Sequence, residues 1–457
     1  MNIEKEKYGK VERIEHYIDR YLKKNKVKKI LKEIDLLEHP EKKFKDRQYV
    51  EQNIVNAYVR YIKNDKKSIV RLEELKQKYN TIIDKLEIQL GEIIKVHPSL
   101  ITATDKNNNN LGMIAAKNGL PNITNFFLVF DEASTMQNNE GKNIGMIAAD
   151  SHLEDCVIKA LKNPVASLQQ DNDKNNIGMH AAKNKLKRAT DVALDNYEAS
   201  VQQNKYGYNI GLTAIKKHLG EDIANKAIMN EIAATQTNIF DHNMGMEAAL
   251  SHYENTVIKA LDNKVAASYI SPNTKRTIAI YAGLSKLKKA VKKALKDEKL
   301  YLHRDCDGMC LPMYAPILGL EEETMQSLDN KELAMIQNND GKTLGMLCAI
   351  HHLKKATLKA LDNKQASLLQ DKDGMTIGMY AGKEEMKEAS LKAVKNKEAL
   401  KLKDKDGWDL AMHTCKFTGD KEAEKRVKEY YAEQERLRRE YEQNTSDCTC
   451  IIASLIE

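Results

Sequence analysis

Small, apolar and polar positions recur along this chain at a fixed distance. A Gly-Met pair stands at 112–113, 145–146, 178–179, 245–246, 345–346 and 378–379, with weaker forms at Gly211-Leu212, Ala279-Ile280, Pro312-Met313 and Ala411-Met412. The second residue of each pair falls at 113, 146, 179, 212, 246, 280, 313, 346, 379 and 412, so every step is 33 or 34 residues. Copies at one period predict an array of repeats, each too small to bury its apolar face alone.

Each copy predicts two short helices. Three residues before the second member of the pair stands Asn110, Asn143, Asn176, Asn209, Asn243, Thr277, Thr343, Thr376 or Asp409, all able to cap a helix N-terminus; Cys310 alone departs. The first helix runs through the Gly-Met pair into small residues such as Ala148-Ala149. A glycine inside a helix costs about 1 kcal/mol relative to alanine, so its recurrence predicts close packing. The second helix carries a leucine at a fixed place (Leu161, Leu194, Leu261, Leu295, Leu328, Leu361), followed two residues on by an asparagine such as Asn163, Asn196 or Asn263. Asparagine tolerates the left-handed conformation that ends many helices, which predicts a helix stop there. Asp171, Asp305, Asp371 and Asp404, with Gly308, Gly374 and Gly407 three residues after the last three, predict a tight turn.

The stretch Asp371-Lys-Asp-Gly374-Met-Thr376-Ile-Gly-Met379-Tyr-Ala381 resembles the ankyrin repeat: Gly374, Thr376 and Ala381 fall on that family's Gly-x-Thr and Ala positions. The resemblance covers roughly residues 96–430. It departs at Ile377-Gly378-Met379, where the family has Pro-Leu-His, so the family's histidine hydrogen bond is not expected. The resemblance implies an all-α, ankyrin-like helix-turn-helix solenoid of about ten repeats, elongated and with a concave binding face. Another two-helix solenoid of the same period is the alternative. The expected organisation is a helical N-terminal cap at 1–96, repeats at 97–420, and a charged helix with an apolar tail at 421–457. Repeats four and five are one residue longer and least regular; Ser271-Pro272-Asn273-Thr274 replaces the usual turn.

Charge refines this picture. Residues 1–96 hold 24 Lys+Arg against 17 Asp+Glu, so the net charge of +7 sits there and the repeats are neutral. Three or four helices are expected in this segment: Glu12–Leu37, broken at His39-Pro40, then Val50–Ile62 and Val70–Val96. The cluster Lys23-Lys24-Asn25-Lys26-Val27-Lys28-Lys29 suits phosphates or an anionic membrane, or else is a solvated helix face. Seven scattered cysteines fit a reducing compartment, and neither a signal peptide nor a membrane-spanning run is expected.

Chemistry is sparse. There is no phosphate-binding glycine loop and no His-Glu-x-x-His. His303, Asp305, Cys306 and Cys310 make an incomplete metal set, so no metal or cofactor is expected. The recurring methionines suit a core, and His351-His352 a solvated loop. Cys448 and Cys450, ahead of Ile451, Ile452 and Leu455, suit reversible palmitoylation or a plain flexible terminus. Ser454 stands where a prenylation signal needs cysteine.

The function expected is therefore a non-enzymatic protein–protein interaction scaffold. Its contact candidates are turn residues that vary between repeats: Asn139, Lys142, Asn172, Lys174, Tyr206, Tyr208, Arg276, Asp340, Lys342, Lys372, Met375, Lys405 and Trp408, the last also placed to pack on the terminal helix. The alternative is nucleic-acid or anionic-membrane binding through the basic N-terminal helices. An enzyme within residues 1–96 lacks a clustered catalytic set. The resemblance and the Asn/Lys/Ile-rich composition also suggest a bacterial protein delivered into a host cell, and otherwise a cytoplasmic one.

Overall fold

A computed structural model describes residues 2–38, 66–300 and 302–439, apart from 427, 430 and 434. The described residues are all-α, with isolated bridges and no strand. They divide into two compact units, 1–239 and 240–457. The division falls inside the array, where the period lengthens to 34. The expected helix at 50–62, the break at His39-Pro40 and the tail with Cys448 and Cys450 lie outside the described residues.

The first unit opens with helices Asn2–Lys24 and Val27–Glu38. The single helix expected over Glu12–Leu37 is broken, because Lys26 takes φ 55. The long helix Lys66–Val96 follows. Val11, Ile18, Ile83, Leu86, Leu90 and Ile94 share one core with Leu111, Met113 and Ile123 of the first repeat. The carboxylate of Glu87 accepts from the Asn122 and Ile123 amides, whose helix Pro121–Phe127 has no side-chain cap of its own. The segment thus covers the first repeat. Deleting residues 1–96 is expected to speed amide exchange in Leu111–Lys117 and Pro121–Phe127 and to cause aggregation. Unchanged protection in a monomeric truncation would mean that the segment is a separate domain.

Within a repeat the first helix is seven residues, as in Ile144–Asp150, and so is the second, as in Glu154–Ala160. The nine Asn, Thr and Asp residues expected as caps each accept from the amide three residues on; Cys310 makes no such bond. A third short helix, such as Pro164–Leu168, was not expected. Asn163 does not end the second helix in a left-handed conformation. It has φ −81 and accepts from Val165 and Ala166 amides, capping the third helix. Capping wins because a new turn starts at once and its free amides need an acceptor. The left-handed residues lie elsewhere: His152, Lys185 and His352 between first and second helices, Lys174 and Gly374 in the turns.

The recurring methionines are core: Met146, Met246, Met313, Met346 and Met379 are fully buried. The glycines before four of them, Met313 following Pro312 instead, are where helices touch. A Cβ on Gly145 would stand 2.6 Å from Ile177 Cδ1 and 2.7 Å from Ala160 Cβ, and on Gly345 2.5 Å from Ile377 Cδ1. Ile177 and Ile377 belong to the next repeat, so each glycine is a socket for its neighbour's isoleucine. In the second unit, helical residues continue beyond 420 to 439. Trp408 packs there, its ring centroid 5.6 Å from Tyr431 and 5.2 Å from His413.

Candidate interaction surface

Most repeats end in a turn built by one side chain; at Ser271 the hydroxyl makes no such bond. Asp171 Oδ1 accepts from the Asp173 and Asn175 amides, and Asp371 Oδ1 from those of Asp373 and Met375. The left-handed residue between them, Lys174 or Gly374, completes the reversal. Successive turns are then tied edge to edge. In the first unit the amides of Asn139, Asn172 and Lys205 donate to the carbonyls of Asn107, Glu140 and Asp173. In the second, Asn339, Lys372 and Lys405 donate to Asp307, Asp340 and Asp373.

A glutamine ladder locks the turns further. Gln137, Gln170 and Gln203 each donate to the carbonyl four residues on and to the backbone of the next repeat. Gln337 and Gln370 do the same in the second unit, and Arg304 substitutes there. Thr237 in the first unit and Ile270 in the second stand at the two ladder positions between Gln203 and Arg304. The signal was in the sequence as glutamines at the 33-residue period; the contact reading passed over it because it sought residues that vary.

The thirteen contact candidates separate into two columns. Asn139, Asn172, Lys174, Tyr206, Asp340, Lys372 and Lys405 are exposed at the turn tips. The other column turns inward. Lys142 is half-buried between Glu140 and Asp150, at 3.0 and 3.1 Å. Arg276 reaches Asp305 and Asp307, and Lys342 and Trp408 are half-buried. Tyr208 and Met375 are buried, 7% and 6% exposed, and are not contact residues. The Tyr208 side chain folds back on the following helix, its hydroxyl accepting from Lys216 Nζ, and Met375 belongs to the apolar core.

A column the sequence reading missed stands four residues past each recurring methionine, on the first helix. In the first unit it reads Lys117, Asp150, Lys183 and Lys216; in the second, Leu250, Leu284, Ile317, Ile350, Lys383 and Lys416. In the first unit, turn tips and this column border one groove at the first two repeats. Asn107, Asn138, Asn139, Lys117, Asp150 and Ser151 are among the residues that line a cavity of about 490 Å³ in the first unit. Its signal was the helical offset of four from a buried methionine.

Beside that groove lies a buried histidine. His180 Nδ1 stands 2.8 Å from Asp150 and Nε2 2.9 Å from Asp171. The two carboxylates outweigh burial and raise the imidazole above its ordinary 6.5, while the imidazolium and Lys142 hold Asp150 well below 3.8 and the imidazolium lowers Asp171. The carboxylate contribution is present above pH 3.8 and is lost as pH falls through the lowered values. The histidine contribution is complete below pH 6.5 and is lost as pH rises through the raised value. His180→Gln should therefore cost most stability between about pH 4 and 6.5, its deficit shrinking in alkali as the neutral ring loses one of its two donors. Urea midpoints across pH check this; a deficit independent of pH would contradict it. The same clasp recurs as Tyr314 to Asp305, Tyr380 to Asp371 and His413 to Asp404.

Burial pushes Cys156 and Cys310 up to about 11, and Cys348 higher still. Cys310 sits in the core at a cap position while Cys306 is exposed, and among the described residues no group of three His, Cys, Asp or Glu side chains is placed to hold a metal ion. No described helix is long and apolar enough to cross a membrane. In the N-terminal segment Lys24, Lys26, Lys29 and Lys78 border a hollow of about 440 Å³, but Glu33 lies in it, 2.9 Å from Arg71. Val27 and Ile30 are buried between the lysines.

No family profile matches the sequence, and no curated protein matches it. Among solved structures, a chain of the Bd0816 predatory endopeptidase complex with immunity protein Bd3460 from Bdellovibrio bacteriovorus is similar over 39% of this chain and 92% of that one, at 18% identity and a TM-score of 0.32. A likeness at that score carries no functional argument.

Proposed function

We propose that this chain is a divergent ankyrin-like array of about ten repeats, capped by the N-terminal helices and a C-terminal helix, and that it acts as a non-enzymatic scaffold binding protein partners. The observation that carries this reading is the face made by the turn tips and first helices. Side chains that differ from repeat to repeat stand there on backbone fixed by the amide and glutamine ladders. Binding through such a face costs little ordering of its own residues. The repeats are neutral overall, which suits protein partners better than a polyanion. Delivery into a host cell is part of the same proposal, resting on the resemblance and composition alone.

A second reading is favoured by the exposed Lys23, Lys24, Lys26, Lys28 and Lys29, which would hold nucleic acid or an anionic membrane. Affinity capture with the full chain separates the two. The scaffold reading expects proteins that stay bound at high salt and are lost from an Asn139→Lys/Lys372→Glu variant. Capture of nucleic acid or lipid that falls steeply with salt, and disappears on Lys24→Glu/Lys28→Glu, would replace it.

A further inference from the structure

The column four residues past the recurring methionine changes character in the second unit. Leu250, Leu284 and Ile317 end their first helices 46%, 43% and 37% exposed, and Ile350 follows half-buried. Every counterpart in the first unit is charged. The column then closes with Lys383, exposed, and Lys416, which also meets Glu385. A surface position that is charged in six repeats and aliphatic in four consecutive ones is a contiguous stripe, not scattered exposure. Its first-unit equivalents Lys117 and Asp150 line a cavity of their own unit, so the position is one that faces outward beside the turns.

We infer that this stripe binds an amphipathic α-helix of a partner protein, carrying one apolar side chain per heptad and an acidic end. The inference rests on the scaffold reading and names the partner's chemistry. Spacing decides it. First helices of neighbouring repeats are in direct contact, as Gly245 against Ile278 and Gly345 against Ile377 show, and packed helices lie about 8–10 Å apart. The stripe therefore repeats at about that distance. Seven residues of α-helix advance about 10.5 Å and return the side chain nearly to the same face. A β-strand returns side chains to one face only at about 6.6 or 13.2 Å, which misses the stripe. A polyproline helix matches in rise, at about 9.3 Å per turn, but would lay unpaired carbonyls against leucine and isoleucine; an α-helix satisfies its own backbone. Lys383 and Lys416, past the last aliphatic step, set the acidic residues at one end of the bound helix.

The test is fluorescence anisotropy on the full chain with a labelled synthetic helix of about 36 residues, leucine at four successive heptad positions and glutamate at the next two. Micromolar binding is expected, weakened at least about tenfold by Leu284→Glu/Ile317→Glu. Moving the glutamates to the other end, or replacing the leucines by serine, should weaken it comparably. Lys289→Glu, exposed on a second helix away from this face, should leave it unchanged. Circular dichroism and thermal midpoints verify that the doubly substituted protein is folded; Leu284→Ser/Ile317→Ser, with a milder loss, serves if it is not. The inference is overturned by no binding to wild type, by equal binding to the folded glutamate and serine variants, by preference for a proline-rich peptide, or by binding only after truncation beyond Arg439, which would make the chain's own tail the occupant. Self-association in sedimentation that Leu284→Glu abolishes would make a second copy the occupant and overturn it too. Proteins captured through Asn139 and Lys372 but indifferent to Leu284 and Ile317 would remove this inference while leaving the scaffold reading intact.

Discussion

Gly378→Leu is expected to destabilise the second unit by about 3 kcal/mol, because overfilling a packed site forces its neighbours apart. Even the first carbon of a side chain at 378 would stand 2.7 Å from Ala393 Cβ and 2.9 Å from Leu410 Cδ1. Ala393 is buried in the second helix of the same repeat, and Leu410 is fully buried in the next repeat. The alanine methyl has no rotamer to escape into, so backbone must move. Three contacting elements would separate at once: Ile377–Lys383, Lys387–Ala393 and Leu410–Thr418. Lys372→Ala, at an exposed turn tip of the same repeat, should fall within about 0.5 kcal/mol of wild type. Urea denaturation of both variants checks the contrast; equal midpoints would remove the socket role of the glycine.

Asn176→Asp should cost more than Asn176→Ala, although aspartate is the closer isostere. Asn176 is fully buried. Its Oδ1 accepts from the Met179 amide at 3.0 Å, which either oxygen-bearing residue preserves. Its Nδ2 donates to the Ala199 carbonyl and to Gln202 Oε1, both at 2.8 Å. An aspartate would turn an acceptor toward two acceptors, and ionisation would bury a charge beside them. A loss of about 3–5 kcal/mol follows at neutral pH, against about 2–3 kcal/mol for alanine, which loses the bonds but adds no repulsion. The aspartate deficit should shrink in acid as the carboxyl protonates and regains a donor. Thermal or urea midpoints at neutral pH and near pH 4 decide this; an aspartate variant as stable as wild type would mean that the amide donations do not matter.

What the sequence disclosed follows from which forces act locally. Caps are local: an oxygen three residues before a recurring methionine is enough, and Asn143, Thr376 and Asp409 all behave as expected. The glycine sockets were legible because a helix penalises glycine unless packing needs it. The third helix was not, because Asn163 satisfies two rules at once and only the chain path beyond Leu161 chooses between them. The contact column was half legible. Variation between repeats marks exposed tips such as Asn172, but it equally marks inward-facing residues such as Tyr208 and Met375, each fitted to a different neighbour. The His180 clasp reaches Asp150 thirty residues away and the glutamine ladder spans 33 or 34, so a single copy does not announce either. The same is true of the aliphatic stripe, which appears only when Leu250, Leu284, Ile317 and Ile350 are aligned by repeat.

Site-specific photocrosslinking tests the central proposal most directly. A benzophenone side chain is placed, one at a time, at Asn139 and Lys372 on the turn face and at Arg188 and Lys289 on the second helices, in the full chain produced in cultured eukaryotic cells. All four positions are exposed. The scaffold account predicts discrete protein adducts from 139 and 372 that are absent from 188 and 289. Adducts independent of face, or nucleic acid and lipid as the captured species, would contradict it.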